Sequence, residues 1–130
     1  MRIERGSIHY VDFGETDGSS VQKGVRPGLI IQNNLGNRFS TTTVAIPLST
    51  KNKGMPTHTE IDLEDCLDGR LASTSYALCE QISVIDRDDV HTKICDVNED
   101  VLEQVEECMM IEFGFIKPSK SQQRRQSELV

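Results

Sequence analysis

A chain of 130 residues, 36% hydrophobic and 27% charged, is long enough to bury one core and reads as a soluble globular domain rather than a disordered chain. No apolar run approaches the ~20 residues of a transmembrane helix, and Met1 to Arg5 lacks the apolar stretch of a signal peptide. Cys66, Cys79, Cys95 and Cys108 include no Cys-x-x-Cys pair, so zinc ligation is disfavoured and buried free thiols in a reducing cytosol are expected. The net charge of −7 argues against nucleic acid for the chain as a whole. The charge is unevenly spread, however. Residues 1–58 carry seven basic against four acidic side chains, residues 59–116 three against sixteen, and residues 117–130 four against one. The first part can attract a polyanion while the acidic part faces solvent or a basic partner.

In chain order, Gly6 to Phe13 alternates in the period of a half-buried strand, with Ile8, Tyr10 and Phe13 inward and His9 on the polar, exposed side. Gly14 to Gly24 is a long glycine-rich loop, and a loop of that length between strands is commonly functional or disordered. Leu29 to Ile31 is a buried strand entered through Arg26-Pro27. Proline pushes the preceding residue towards extended geometry, so Arg26 is a fixed positive charge where a flexible loop ends. Taken alone, such an arginine is most often simply paired with a carboxylate.

Asn33 to Arg38 reads as a turn, Thr42 to Ser49 as a β-branched third strand, and Lys51 and Lys53 lie in the turn closed by Gly54. A fourth strand is expected over His58 to Leu63, a short helical turn over Glu64 to Gly69, a fifth strand over Thr74 to Gln81 and a sixth over Val90 to Val97, with Asp86 capping a brief turn. Asn98 is an N-cap, and Val101, Leu102, Val105, Cys108, Met109 and Phe113 form the apolar stripe of a terminal helix. The methionines read as core filler. Residues 117–130 are polar and basic, a tail expected to be disordered beyond a domain of residues 1–116. Many short strands followed by one helix predict a mainly β fold: a strongly bent antiparallel sheet or partial barrel with a C-terminal helix.

Residues 24–40, Gly-Val-Arg-Pro-Gly-Leu-Ile-Ile-Gln-Asn-Asn-Leu-Gly-Asn-Arg-Phe-Ser, resemble the strand-and-turn signature of the MazF/PemK toxin family. Arg5-Gly6 with Asp12, Pro56-Thr57-His58, and Glu80-Gln81-Ile82 leading to Ile85-Asp86 follow in the family's order. The resemblance runs from about residue 5 to residue 115. It implies an SH3-like barrel with added helices and a homodimeric, cytoplasmic, sequence-specific endoribonuclease that needs no metal or other cofactor. Such an enzyme cuts single-stranded mRNA to leave a 2′,3′-cyclic phosphate and a 5′-hydroxyl. A cognate antitoxin silences it by laying an acidic segment in the RNA groove. The family's essential arginine falls on Arg26, and its essential threonine on Ser49, with Thr50 the neighbouring candidate.

Arginine stays protonated, so Arg26 is assigned to bidentate phosphate stabilisation and donation to the leaving oxygen. Ser49 would donate to a non-bridging phosphate oxygen. Gln22, Lys23, Thr50, Lys51, Lys53 and His58 are candidate substrate contacts, the two lysines of the turn for flanking phosphates, and Gln81 could read a base edge. Where the family carries Ser-Glu-Gln ahead of Gly-x-Arg-Pro, this chain has Ser19-Ser20-Val21-Gln22, one residue longer and with Ser20 in place of the glutamate, leaving Glu15 or Asp17 to stand in as base. Ser83 replaces an arginine that often follows Gln-Ile. The alternative is a non-nuclease binder on the same scaffold, either a gyrase poison of the CcdB type or a catalytically dead RNA-binding protein.

Overall fold

The computed structural model describes residues 1–15, 18 and 20–120. The strands are β1 (Ser7–Asp12), β2 (Val25–Ile30), β3 (Thr42–Ser49), β4 (His58–Ile61), β5 (Cys66–Leu67), β6 (Ser75–Leu78), β7 (Ser83–Asp86) and β8 (Val90–Val97), with helices α1 (Asn34–Phe39) and α2 (Glu99–Glu112). They form one curled antiparallel sheet in the order β4-β6-β3-β2-β1-β8-β5, with β7 also on β3. This is the bent antiparallel sheet with a C-terminal helix that the strand pattern predicts.

β3 organises the sheet. One edge pairs β2 through Gly28↔Pro47 to Ile30↔Ala45. The other edge is shared end to end: β7 pairs residues Thr42 to Ala45, and β6 pairs Leu48 and Ser49. Between β6 and β7 the chain makes a 3-10 turn over Cys79–Gln81. Ile31 N donates to Val44 O, so by alternation the nitrogen of Pro47 points to the other edge, into the gap between β7 and β6. Proline is tolerated in this central strand because no ladder bond is required there. Pro27 sits similarly, just beyond the first β2–β3 pair.

Two cores lie on opposite faces of the sheet. The larger joins Ile8, Leu29, Ile46, Leu48, Ile61 and Ala77 to Val101, Val105 and Cys108 of α2, with Leu102 and Met109 packed at its margin. The smaller joins Ile3, Val11, Phe13, Ile30, Ala45, Ile85 and Val90. Asn98 caps α2 as expected, its side chain accepting from Val101 N at 2.9 Å. Its Nδ2 also donates to Asp65 at 3.1 Å, tying the helix start to a 3-10 turn over Leu63–Asp65. Asp86 likewise caps the turn over Arg87–Asp89. Cys79, Cys95 and Cys108 are buried and all four thiols are free. The Cys108 sulfur beside it, together with burial, pushes the Cys79 thiol up, so it stays protonated.

Several expectations are corrected. His9 is fully buried and Tyr10 is 45% exposed, the reverse of the predicted facing. β1 is flanked by β2 and β8 and covered on the His9 face by the smaller core. His9 Nδ1 meets the carbonyl of His91 at 3.0 Å, and desolvation lowers its pKa. The predicted turn at Asn33 to Arg38 is helix α1, capped by Asn33, whose side chain accepts from Gly36 N. Buried Asn37 takes hydrogen bonds from Thr43 Oγ1 at 2.6 Å and Gln32 Nε2 at 3.1 Å. The fifth strand stops at Leu78, and β7 adds a strand that was not expected. Part of the predicted helical turn at Glu64 to Gly69 is the short strand β5. Met1 and Met110 are exposed and only Met109 packs on the core, while Phe113 is 54% exposed. Of the predicted tail, residues 121–130 lie outside the described residues. None of the described helices is long and apolar enough to cross a membrane.

Candidate functional site

Register, continued to the strand ends, places Arg26 and Ser49 on one row of the sheet. Val11 of β1 faces Arg26 of β2. Two residues beyond the Gly28↔Pro47 pair stand Arg26 and Ser49, so continuing the register sets them opposite each other at the strand ends. Ser49 pairs Tyr76, and Tyr76 pairs Glu60. Directly opposed residues share a face, and side chains alternate along each strand. Arg26, Ser49, Tyr76, Glu60 and, two residues along β4, His58 therefore stand on the face of the smaller core, away from α2. Gly28 lies between Arg26 and Ile30 on that face. A Cβ there would come within 2.9 Å of Phe13, so glycine lets Phe13 close the apolar core right up to the arginine.

Arg26 is half-buried and held from the loop side. Its Nε donates to the Lys23 carbonyl at 3.0 Å, and its Nη1 donates to Gln22 Oε1. Gln22 N in turn donates to Gln81 Oε1 at 2.7 Å. Gly24, at φ 78°, makes the bend that brings Gln22 and Lys23 back over the arginine, a conformation that favours glycine. The expected carboxylate partner is absent among the described residues, since Arg26 enters no ion pair there; neutral amide and carbonyl oxygens hold it and leave its positive charge uncancelled. Three sequence-predicted residues, Gln22, Arg26 and Gln81, thus form one network, and Lys23 joins it through its backbone.

Ser49 Oγ accepts from Lys51 N at 3.1 Å, which starts the turn after β3. Its hydroxyl proton remains available to an acceptor opposite Arg26. Thr50, Lys51 and Lys53 are exposed in the following loop. His58 is not an open contact: its side chain is 3% exposed and its Nε2 bonds the Glu80 carboxylate at 2.7 Å. Glu15 is exposed in the first loop, while Asp17 lies outside the described residues.

Sequence reasoning names Glu80 only within the Glu80-Gln81-Ile82 motif and does not single out Tyr76 or Glu60. Tyr76 Oη donates to Glu60 Oε1 at 3.1 Å. Desolvation and the adjacent Glu60 raise the phenol's pKa, so it stays protonated. With Asn52, Gly54, Met55, Pro56 and His58, Tyr76 and Glu60 line a pocket of about 180 Å³, and Tyr76 pairs Ser49 at its side. Their signal in the sequence was the register: once Ser49 is placed, Tyr76 and Glu60 follow by pairing. A larger cavity of about 620 Å³, with Arg2, Arg38 and Arg87 in its lining, lies against α1 and contains none of the predicted site residues. Among the described residues no group of three or more His, Cys, Asp or Glu side chains is placed to hold a metal ion.

The arrangement offers a fixed cation facing a hydroxyl, with lysines in the next loop and amides alongside. Such groups neutralise a phosphate and stabilise charge that develops on it. The family model described as PemK-like, MazF-like toxin of type II toxin-antitoxin system matches residues 4–113. Endoribonuclease EndoA of Bacillus subtilis (strain 168) is 36% identical over 118 residues, spanning 89% of this chain and 98% of that protein. A mycobacterial endoribonuclease solved in complex with its cognate antitoxin superposes with a TM-score of 0.73 at 23% identity, covering 89% of this chain and 99% of that one. MazF (Form-I) from Deinococcus radiodurans gives 0.69 at 21% identity, covering 88% and 98%. At these identities the two structures speak for the fold.

Proposed function

The chain belongs to the PemK-like, MazF-like toxins of type II toxin–antitoxin systems, and we propose on that footing that it is an endoribonuclease cutting single-stranded RNA by attack of the RNA's own 2′-hydroxyl, without a metal. The observation that carries this reading is the Arg26 guanidinium held by Gln22 and Lys23 at the end of β2, where the β2–β3 register, continued two residues, runs to Ser49.

The reaction requires loss of the 2′-hydroxyl proton, attack on the adjacent phosphorus, and departure of the 5′-oxygen. Arg26 clamps the phosphate through its free N–H groups and donates to the leaving oxygen. Ser49 donates to a non-bridging oxygen that gains charge in the transition state. The products are a 2′,3′-cyclic phosphate and a 5′-hydroxyl. Lys51 and Lys53 hold flanking phosphates, and Gln81, whose amide nitrogen is left when its oxygen takes Gln22 N, meets an unpaired base.

The partners of this reading are a cognate antitoxin, whose acidic segment competes for the same cations, and a second copy of the chain. Leu35 and Phe39, one turn apart on α1, are 72% and 73% exposed, and Val84 on β7 is 74% exposed. Large exposed apolar groups of this kind mark association surfaces. Incubation of the chain with a long single-stranded RNA in EDTA tests the activity. Discrete fragments with 5′-hydroxyl ends are expected; fragments that persist unchanged with Arg26→Ala would overturn the mechanism.

A further inference from the structure

The pocket next to Ser49 has a chemistry that phosphate binding does not explain. Its most exposed charged group is the Glu60 carboxylate, which repels phosphate. An RNA group entering here is therefore a base rather than the backbone. At about 180 Å³ the pocket is smaller than the ~300–1,000 Å³ of sites for drug-sized ligands and suits a single planar ring. Tyr76 supplies an aromatic wall, and Met55 and Pro56 supply apolar ones. Aromatic faces are the usual platforms for unstacked RNA bases.

The polar groups are one-sided. An ionised carboxylate is an acceptor only, with room for about four hydrogen bonds, and the Tyr76 hydroxyl occupies one site on Oε1. That bond commits the hydroxyl's proton, and the Asn52 amide donates to its oxygen. His58 presents no open group here, since its side chain is 3% exposed and its Nε2 is taken up by Glu80. The exposed charged group of the lining thus accepts hydrogen bonds, and the phenol beside it has no proton to give.

We propose that this pocket receives one nucleobase beside the scissile phosphate and selects bases that carry an exocyclic amino group, with Glu60 as the discriminating acceptor and Tyr76 as its stacking face. Adenine, cytosine and guanine each bring amino protons to a carboxylate. Uracil brings a single N–H between two keto oxygens, and those oxygens meet like charge. A site built to hydrogen-bond a donor rejects the analogue lacking it, because its own polar groups are then left unpaired. The inference rests on the endoribonuclease reading and deepens it to one specificity position.

Cleaving a random-sequence single-stranded RNA pool with the full chain, Glu60→Gln and Tyr76→Ala, and mapping the new 5′ ends, tests it. Wild type should show one position next to the cut where uracil is depleted about tenfold or more. Glu60→Gln, whose amide can donate to a keto oxygen, should restore uracil there and leave the other positions as they were. Tyr76→Ala should weaken every base choice at that position alike. A cleavage pattern identical in wild type and Glu60→Gln overturns the proposal while leaving the nuclease reading intact. If wild type cuts no RNA, the nuclease reading fails, and fluorescence anisotropy with 2′-deoxy oligomers of adenine, cytosine or uracil then decides the pocket. Weaker binding of the uracil oligomer, erased in Glu60→Gln, sustains it; equal binding of all three overturns it.

Discussion

The two faces of the sheet use the same strands for different ends. On the α2 face, Leu29, Ile46, Leu48, Ile61 and Ala77 interlock with the helix and leave little polar surface. On the other face the apolar core is smaller and ends at Phe13, and from there outward the row runs Arg26, Ser49, Tyr76, Glu60. One residue of displacement along a strand separates a group that holds the fold from a group that can do chemistry. The larger core can therefore rigidify the backbone beneath the site without a single apolar side chain entering it.

If that division holds, substitutions on the two faces separate cleanly into losses of rate and losses of stability. Arg26→Ala should lower RNA cleavage by about 10³-fold or more, the range for an arginine that stabilises charge in phosphoryl transfer, with an unchanged urea midpoint; a comparable fall in midpoint would show that the arginine is structural. Ser49→Ala should cost about 10²–10³ in rate, the loss typical of one transition-state donor, and Ser49→Thr should restore it. Asn98→Ala lies on the other side of the comparison. It removes the cap of α2 and should cost about 1 kcal/mol of stability, read from urea unfolding, while single-turnover cleavage stays at the wild-type rate.

The smallest effect sharpens the smaller core. Because His9 has a lowered pKa in the folded chain, the unfolded chain binds a proton more readily. Stability should hold above the ordinary value near 6.5 and decline as pH falls below it towards the folded-state value. Urea midpoints at about pH 7.5 and about pH 5.5 measure the slope, which His9→Gln should flatten. Equal midpoints for the wild type would mean that the ring is solvated.

The sequence made some of this legible and hid the rest for physical reasons. β3 and β8 fall on the expected residues because β-branched runs bounded by turn residues leave few alternatives. Asn98 with acidic residues behind it announced α2. β7 was hidden because four residues directly after a 3-10 turn carry too little period to read. α1 was hidden because two asparagines and a glycine look like a turn until the long-range bonds of Asn37 are seen. Its Gly36 leaves room for the Gln32 amide, which would lie within 2.9 Å of a Cβ there. His9 misled because its face of β1 is covered by the smaller core, while Tyr10, on the face of Ile8, stands beyond the reach of the larger one. At the candidate site, Arg26 and Ser49 are named by the resemblance and Gln81 by its motif, whereas Tyr76 and Glu60 needed the strand register.

The grip of Gln22 and Lys23 on Arg26 has a consequence in entropy. A free arginine side chain carries about 2 kcal/mol of rotamer freedom, which an anion would ordinarily have to quench on arrival. Here that freedom is removed when the chain folds, through the Gln22 amide, the Lys23 carbonyl and the Gln81 anchor behind them. On the proposed reading, each encounter with a phosphate then begins with the guanidinium already aimed. The aim belongs to the loop as much as to the strand, so shortening residues 18–23 should blunt Arg26 without altering any atom of it.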